Sequence, residues 1–139
     1  MAKIEEKLKI HETVIQLKAV LRSALDMLGC IEDCNKPLEY YMLLNHVCDE
    51  YLVNPVSVVS RDKHGPIAEA RHMLLHILVK VHGYSCDTVG AWIGGRDRST
   101  VHHSVTIANN LMDTDKKFKE RYERVLQRYA TRKKILESL

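Results

Sequence analysis

Turn formers and aromatics are scarce in these 139 residues: three Pro, six Gly, and only eight Phe, Trp and Tyr together. That composition excludes a collagen repeat and a low-complexity linker, and strand-like alternation never lasts more than a few residues. Four cysteines at irregular spacing (Cys30, Cys34, Cys48, Cys86) are too few for a secreted disulfide framework. They read as thiols in a reducing compartment. Cys30 and Cys34 stand four apart, but no CxxC or second tight pair at finger spacing accompanies them, so no metal site is expected. No apolar run approaches the ~20 residues that cross a bilayer. The N-terminus turns charged at Lys3 and shows no signal core. A cytoplasmic protein without membrane association is expected.

What is present is ordinary globular material, 45% apolar and 28% charged, enough for one compact domain or a small domain with an arm. The net charge of +3 hides an asymmetry. Residues 1–60 hold six Lys+Arg against nine Asp+Glu, a net of −3, whereas residues 61–139 hold fifteen against nine, a net of +6. Six of the eight histidines also fall in the second half. A basic half beside a mildly acidic one points to an anionic partner for the former.

The pattern is helical nearly throughout, so the fold class is all-α. Residues 3–28 form one long helix in which Ile10, Val14, Leu17, Leu21, Ala24 and Leu28 follow 4-3-4-3-4 spacing, a short coiled-coil seam. Ile4, Leu8, Ile15, Val20 and Leu25 widen that seam, and Gly29 supplies a stop. Two readings of this arm stand open: it pairs with a second copy into a homodimer, or it folds back on its own domain. Asn35-Lys36-Pro37 breaks the pattern and divides an arm, 1–36, from a domain, 37–139. A second helix is expected from about Pro37 to Leu52 with Leu38, Tyr41, Met42, Val47, Cys48 and Tyr51 inward. Asn54-Pro55 reads as an N-cap and first helical residue. Pro66 opens a helix with Ile67, Leu74, Leu78 and Val79 inward, ended by Gly83, and Ser85 caps a short helix through Trp92. After Gly94-Gly95, Asp97 caps a longer helix carrying Val101, Val105, Ala108 and Leu111. Asp115 starts a basic helix with Phe118, Tyr122, Val125 and Tyr129 inward.

The most informative stretch runs from Ser85 to Ser104: a short helix, a double-glycine turn and a capped second helix. That is the helix-turn-helix plan, whose second helix enters a major groove. Arg98, Ser99 and Thr100 occupy its exposed first turn. An arginine there can donate twice to guanine, and a threonine methyl can pack on a thymine methyl.

At these residues the chain resembles a known family. Gly94-Gly95-Arg96-Asp97-Arg98-Ser99-Thr100-Val101 is similar to Gly-Gly-Arg-Asp-His-Thr-Thr-Val, the signature of the C-terminal DNA-binding domain of the bacterial replication initiator DnaA. The family's histidine two residues later is matched by His103. The similarity extends over about residues 41–127, through Val89-Gly90, Ala70-Arg71-His72-Met73 and the loop Ser60-Arg61-Asp62-Lys63-His64. The resemblance implies double-stranded DNA as partner and a bacterial or phage-encoded protein of replication or transcription control. It implies base reading by Arg98, Ser99 and Thr100, and a dual capping and base-approaching role for Asp97. It places Lys63, with His64 beside it, in a loop entering the minor groove, Arg71 on phosphate, and His103 near the backbone; Arg96 completes the DNA-binding candidates.

The departures are specific. Arg98 stands for the family's His, Ser99 for Thr, and Asp87 for a proline, the last adding a carboxylate near DNA. Thr106-Ile107 replaces a basic pair and Val79 a lysine. A shifted site and weaker electrostatic binding are therefore expected. No G-x-x-x-x-G-K-[ST] occurs, so neither a nucleotide cofactor nor the family's ATPase is expected, and no catalytic constellation is evident. Several features also carry a plainer reading. Trp92 reads as core rather than a stacking platform, His72, His76 and His82 as a solvated face, and the lysines and arginines from Lys116 to Lys134 as a solvated face with some phosphate attraction. The rival function is a helical protein-interaction adaptor whose DNA-reading domain has degenerated.

Overall fold

The computed structural model describes residues 2–29 and 36–139, apart from the side chains at 2, 4, 8 and 22–29. Cys30 and Cys34, and the side chains of Ile4, Leu8, Ala24, Leu25 and Leu28 in the seam, lie outside that description. The chain divides into two compact units, Met1–Asn35 and Lys36–Leu139. Among the described residues the secondary structure is helical without a strand, so the all-α class holds. No helix among them is long and apolar enough to cross a membrane.

The first unit holds one helix, α1 (Ala2–Gly29). The described apolar residues along it are exposed, from Val14 at 40% to Val20 at 66%, with Ile10, Ile15, Leu17 and Leu21 between.

The second unit is built from six helices. In α2 (Leu38–Tyr51) the buried face is Tyr40, Leu43, Leu44, Val47, Cys48 and Tyr51. This corrects the expected phase, because Leu38 is 64% exposed while Tyr41 and Met42 are only half-buried. Glu39, Asn45, His46, Asp49 and Glu50 share one face of this helix and the buried residues lie opposite them, while Leu38 and Met42 fall on the polar side. The short α3 (Pro55–Val59) starts as expected, with Asn54 Oδ1 accepting from the Val56 amide at 2.9 Å. Central to the unit is α4 (Gly65–His76), which runs into a π-helical turn, Ile77–Val81. Widening the turn places Leu74, Leu75, Ile77 and Leu78 all at 0% exposure and leaves Val79 half-buried instead of inward. Gly83, at φ +76°, then reverses the chain.

The helices α5 (Cys86–Trp92), α6 (Arg98–Thr114) and α7 (Lys116–Glu137) complete the unit. α6 lies against α4, α5 and α7, and α7 also covers α2. Phe118, Tyr122, Val125 and Tyr129 of α7 are buried as their spacing predicts, and Asp115 caps the helix. Two polar clusters tie these layers. His76 lies with Nδ1 2.7 Å from the Tyr122 hydroxyl and Nε2 2.6 Å from Asn109 Oδ1, linking α4, α6 and α7. Because Asn109 Oδ1 only accepts, Nε2 carries the proton and Tyr122 donates to Nδ1. Glu39 accepts from the hydroxyls of Tyr84 and Tyr129 at 2.6 and 2.9 Å and pairs with His82.

Candidate nucleic-acid interface

Three features of the chain close the turn between α5 and α6. The Ser85 hydroxyl caps α5 by accepting from the Thr88 amide at 3.2 Å, and Asp97 Oδ1 caps α6 by accepting from the Thr100 amide at 2.8 Å. Between them the Arg96 amide donates to Gly90 O at 2.8 Å. Gly90 permits this approach, since a Cβ there would stand 2.2 Å from Arg96 O and 3.1 Å from Val101 Cγ2. Gly94 serves a second approach: its φ is +69° and a Cβ would stand 2.5 Å from Val59 O.

Arg96 fastens this turn to the loop before α4, and Arg71 ties that loop to α4. Arg96 donates from Nη1 to Ile93 O at 2.6 Å and to Val59 O at 3.4 Å, and from Nη2 to Ser60 O at 2.5 Å. Arg71, only 5% exposed, donates from Nε to Val58 O at 2.7 Å. Its Nη2 donates to the carbonyls of Ser57, Ser60 and Asp62 at 3.2, 2.9 and 2.8 Å. Burial lowers the pKa of both guanidiniums, as does the charge of Arg96 beside Arg71 and of Arg61 near Arg96. Asp62 Oδ1 accepts from the His64 amide at 2.9 Å and the Ser60 hydroxyl from the Asp62 amide at 3.1 Å. The loop is thus held from beneath while Arg61, Lys63 and His64 face solvent.

These elements enclose an open groove of about 650 Å³, with Lys63 and Arg61 on one side, Asp97 and Thr100 on the other, and Arg71, His72, Arg96 and His103 also lining it. Arg98, Ser99 and His103 line a neighbouring depression with Cys86, His102 and Thr106. The first turn of α6 is therefore a ridge between two hollows, with His103 in both. Of the nine residues singled out in the sequence, six share the groove, Arg98 and Ser99 crown the ridge, and His64 touches neither hollow.

Arg98 does not stand alone. Its Nε donates to Asp87 Oδ1 at 3.3 Å and its Nη2 to Asp87 Oδ2, and this hydrogen bonding holds the Asp87 carboxyl below its ordinary range. Asp87 and Arg98 lie on different helices joined by the glycine turn, so no spacing within one helix makes this contact legible. His72 departs from the solvated face that its spacing predicts. It lies half-buried in the groove with Nδ1 unpartnered, and burial, with the charges of Arg71 and His103, pushes its pKa down to about 4. Trp92 packs on Tyr40 and Tyr84 at ring-centroid distances of 5.6 and 4.9 Å, against the core. The basic face of α7 is partly neutralised, because Arg124 and Arg128 both reach Glu50. Among the described residues no three His, Cys, Asp or Glu side chains gather to hold a metal, and Cys48 and Cys86 are free thiols.

Residues 41–107 match the family described as the bacterial dnaA protein helix-turn-helix. The chain is 25% identical over 115 residues to the chromosomal replication initiator protein DnaA of Ehrlichia ruminantium (strain Gardel), covering 82% of this chain and 25% of that protein. It is 23% identical over 77 residues to that of Aliarcobacter butzleri (strain RM4018), covering 55% of this chain and 18% of the relative. With that of Jannaschia sp. (strain CCS1) it shares 27% identity over 78 residues, 56% of this chain and 16% of the relative. The chain spans a quarter or less of the length of the curated relatives it matches.

Proposed function

We propose that this chain is a sequence-specific binder of double-stranded DNA, a reading supported by the match of residues 41–107 to the bacterial dnaA protein helix-turn-helix family. The observation that carries the proposal is the ridge: Asp97, Arg98, Ser99 and Thr100 stand exposed at the start of α6, between two open hollows. In this reading the ridge enters a major groove, with Arg98 donating to a guanine edge and Ser99 and Thr100 meeting neighbouring bases. The loop bearing Arg61, Lys63 and His64 reaches the adjacent minor groove, and His103 approaches the phosphate backbone. Arg71 and Arg96 act by shape: with Nε or both terminal nitrogens donating to carbonyls, they fix the loop and turn that present these groups. The role assigned is binding in replication or transcription control, without catalysis and without the nucleotide chemistry of a longer initiator.

The arm extends the same reading. We assign 1–36 as a helical arm and 37–139 as the DNA-reading domain. The occupant proposed for the exposed seam of α1 is a second copy of the chain, because a 4-3 repeat is self-complementary and identical seams bury one another in a symmetric pair. Two readers in one dimer would then engage two sites at fixed spacing. Sedimentation of the whole chain tests this, with a dimer expected and a monomer at all concentrations removing it.

The test of DNA reading is a fluorescence-anisotropy titration with a labelled initiator-box duplex and a scrambled duplex, at about 0.1 M salt and at higher salt. Preference for one duplex, with binding that weakens as salt rises, supports the proposal. Absence of binding to these and to a randomised duplex pool overturns it in favour of a protein-interaction adaptor.

A further inference from the structure

The pair Asp87–Arg98 joins the first turn of α5 to the first residue of α6. Both side chains are largely exposed, at 58% and 74%. Such pairs contribute little to fold stability. Their geometry nevertheless has a directional consequence. A guanidinium carries five N–H groups in a rigid planar fork. Asp87 takes the side edge, Nε and Nη2, and leaves the outer edge, Nη1 with the second hydrogen of Nη2, unoccupied by that carboxylate. That outer edge presents two parallel N–H donors able to meet guanine O6 and N7 as a pair. The frame holding the two residues is stiff, because the Gly90–Arg96 contact and the carbonyl bonds of Arg96 close the turn between them.

Building on the DNA-reading function proposed above, we infer that Asp87 is a positioning residue that sets base specificity, holding the Arg98 fork so that its outer edge addresses a single guanine. A free arginine on a helix end samples many rotamers and can serve phosphates as readily as bases. One held from the side surrenders less freedom when it docks, and it docks in one plane. The carboxylate also repels the DNA backbone, so Asp87 exchanges overall affinity for selectivity. The two effects have opposite signs on removal, which makes the inference testable.

The experiment selects bound duplexes from a randomised pool with the wild-type chain, Arg98→Ala, Asp87→Ala and Asp87→Asn, each verified by circular dichroism to fold. A direct titration with one unrelated duplex follows. The wild type is expected to enrich guanine at one position, and Arg98→Ala to lose that enrichment. Both Asp87 variants should weaken guanine preference at that same position by roughly two- to tenfold while binding the unrelated duplex more tightly. If Asp87→Ala tightens binding to every sequence and leaves the guanine preference intact, Asp87 is only an electrostatic brake and the inference fails. If the Asp87 variants change a different position, the carboxylate reads a base itself and the positioning role fails. If Arg98→Ala changes no position, the reading by α6 is itself wrong and falls together with this inference.

Discussion

The floor and the rim of the groove use the same residue types for opposite ends. At the floor, Arg71 and Arg96 spend their donors on carbonyls of the α3–α4 loop and of the turn. At the rim, Arg61, Lys63 and Arg98 are exposed, and Arg98 pairs with the solvent-facing carboxylate of Asp87. A buried guanidinium without partners is costly, and the floor arginines meet that cost by bonding backbone carbonyls through Nε and Nη2 of Arg71 and the two terminal nitrogens of Arg96. Rim cations keep their hydration and can exchange it for phosphate or a base edge. Counting positive charges in the sequence therefore does not distinguish the arginines bonded to backbone carbonyls from those exposed at the rim.

The contrast should break most visibly at the floor. Replacing Arg71 by Met leaves the carbonyls of Ser57, Val58, Ser60 and Asp62 without this donor. A loss of about 2–3 kcal/mol in stability by denaturant titration is expected, with weaker binding to all duplexes. Gly90→Ala should follow closely, costing about 1–3 kcal/mol because Arg96 O and Val101 have to move. Gly95→Ala is the control: its Cβ meets nothing within 4 Å, so only its φ of +67° counts, at about 1 kcal/mol. Equal losses at Gly90 and Gly95 would show that the close approach does not matter. At the rim, Arg98→Ala should leave the melting temperature unchanged yet reduce preference for its base roughly tenfold to a hundredfold. Lys63→Ala should weaken all sequences alike and flatten the logarithmic salt slope by about 1, measured by anisotropy at several salt concentrations.

The smallest expected effect is on pH dependence, and it sharpens the view of the floor. Burial lowers the pKa of His72, to about 4, and also that of His46 and His76. In the unfolded chain a histidine titrates near ~6.5. The unfolded state therefore binds more protons below that pH, and stability, full above it, declines as pH falls toward 4. Glu39 acts lower still. Burial raises its pKa, but the bonds from Tyr84 and Tyr129 and the charges of His82 and Lys133 outweigh that and hold it below the ordinary carboxylate range. Its contribution is lost only as pH falls through that depressed value. Thermal melts between about pH 7.5 and pH 4.5 should show a falling midpoint, shallower in His72→Gln. A midpoint independent of pH in the wild type would mean that these histidines are solvated after all.

Capping chemistry and spacing made much of the unit legible in advance. Asn54, Ser85, Asp97 and Asp115 each begin a helix because their side chains accept from free amides, a local interaction that needs no tertiary partner. The four inward residues of α7 were equally legible, because its opposite face is so strongly charged. In α2 the polar residues also share one face, but Leu38 and Met42 lie among them and obscure the phase. The π-helical turn after His76 was also invisible, since a one-residue widening has no compositional mark.

The same division holds at the groove. The residues of the ridge and the loop were named by their order along the chain, and their exposure at a helix end follows from one cap and two glycines. Which cations the protein consumes, which histidine is forced neutral and which carboxylate meets Arg98 were decided only on folding. Those facts depend on carbonyls and charges brought together from positions up to 37 residues apart in the chain, and no periodicity in a sequence encodes contacts of that kind. The sequence determined helices, caps and the order of the ridge because those are local. The tertiary structure divided the basic residues into those that hold the groove and those that face outward, because burial sets the cost of leaving a charge unpaired.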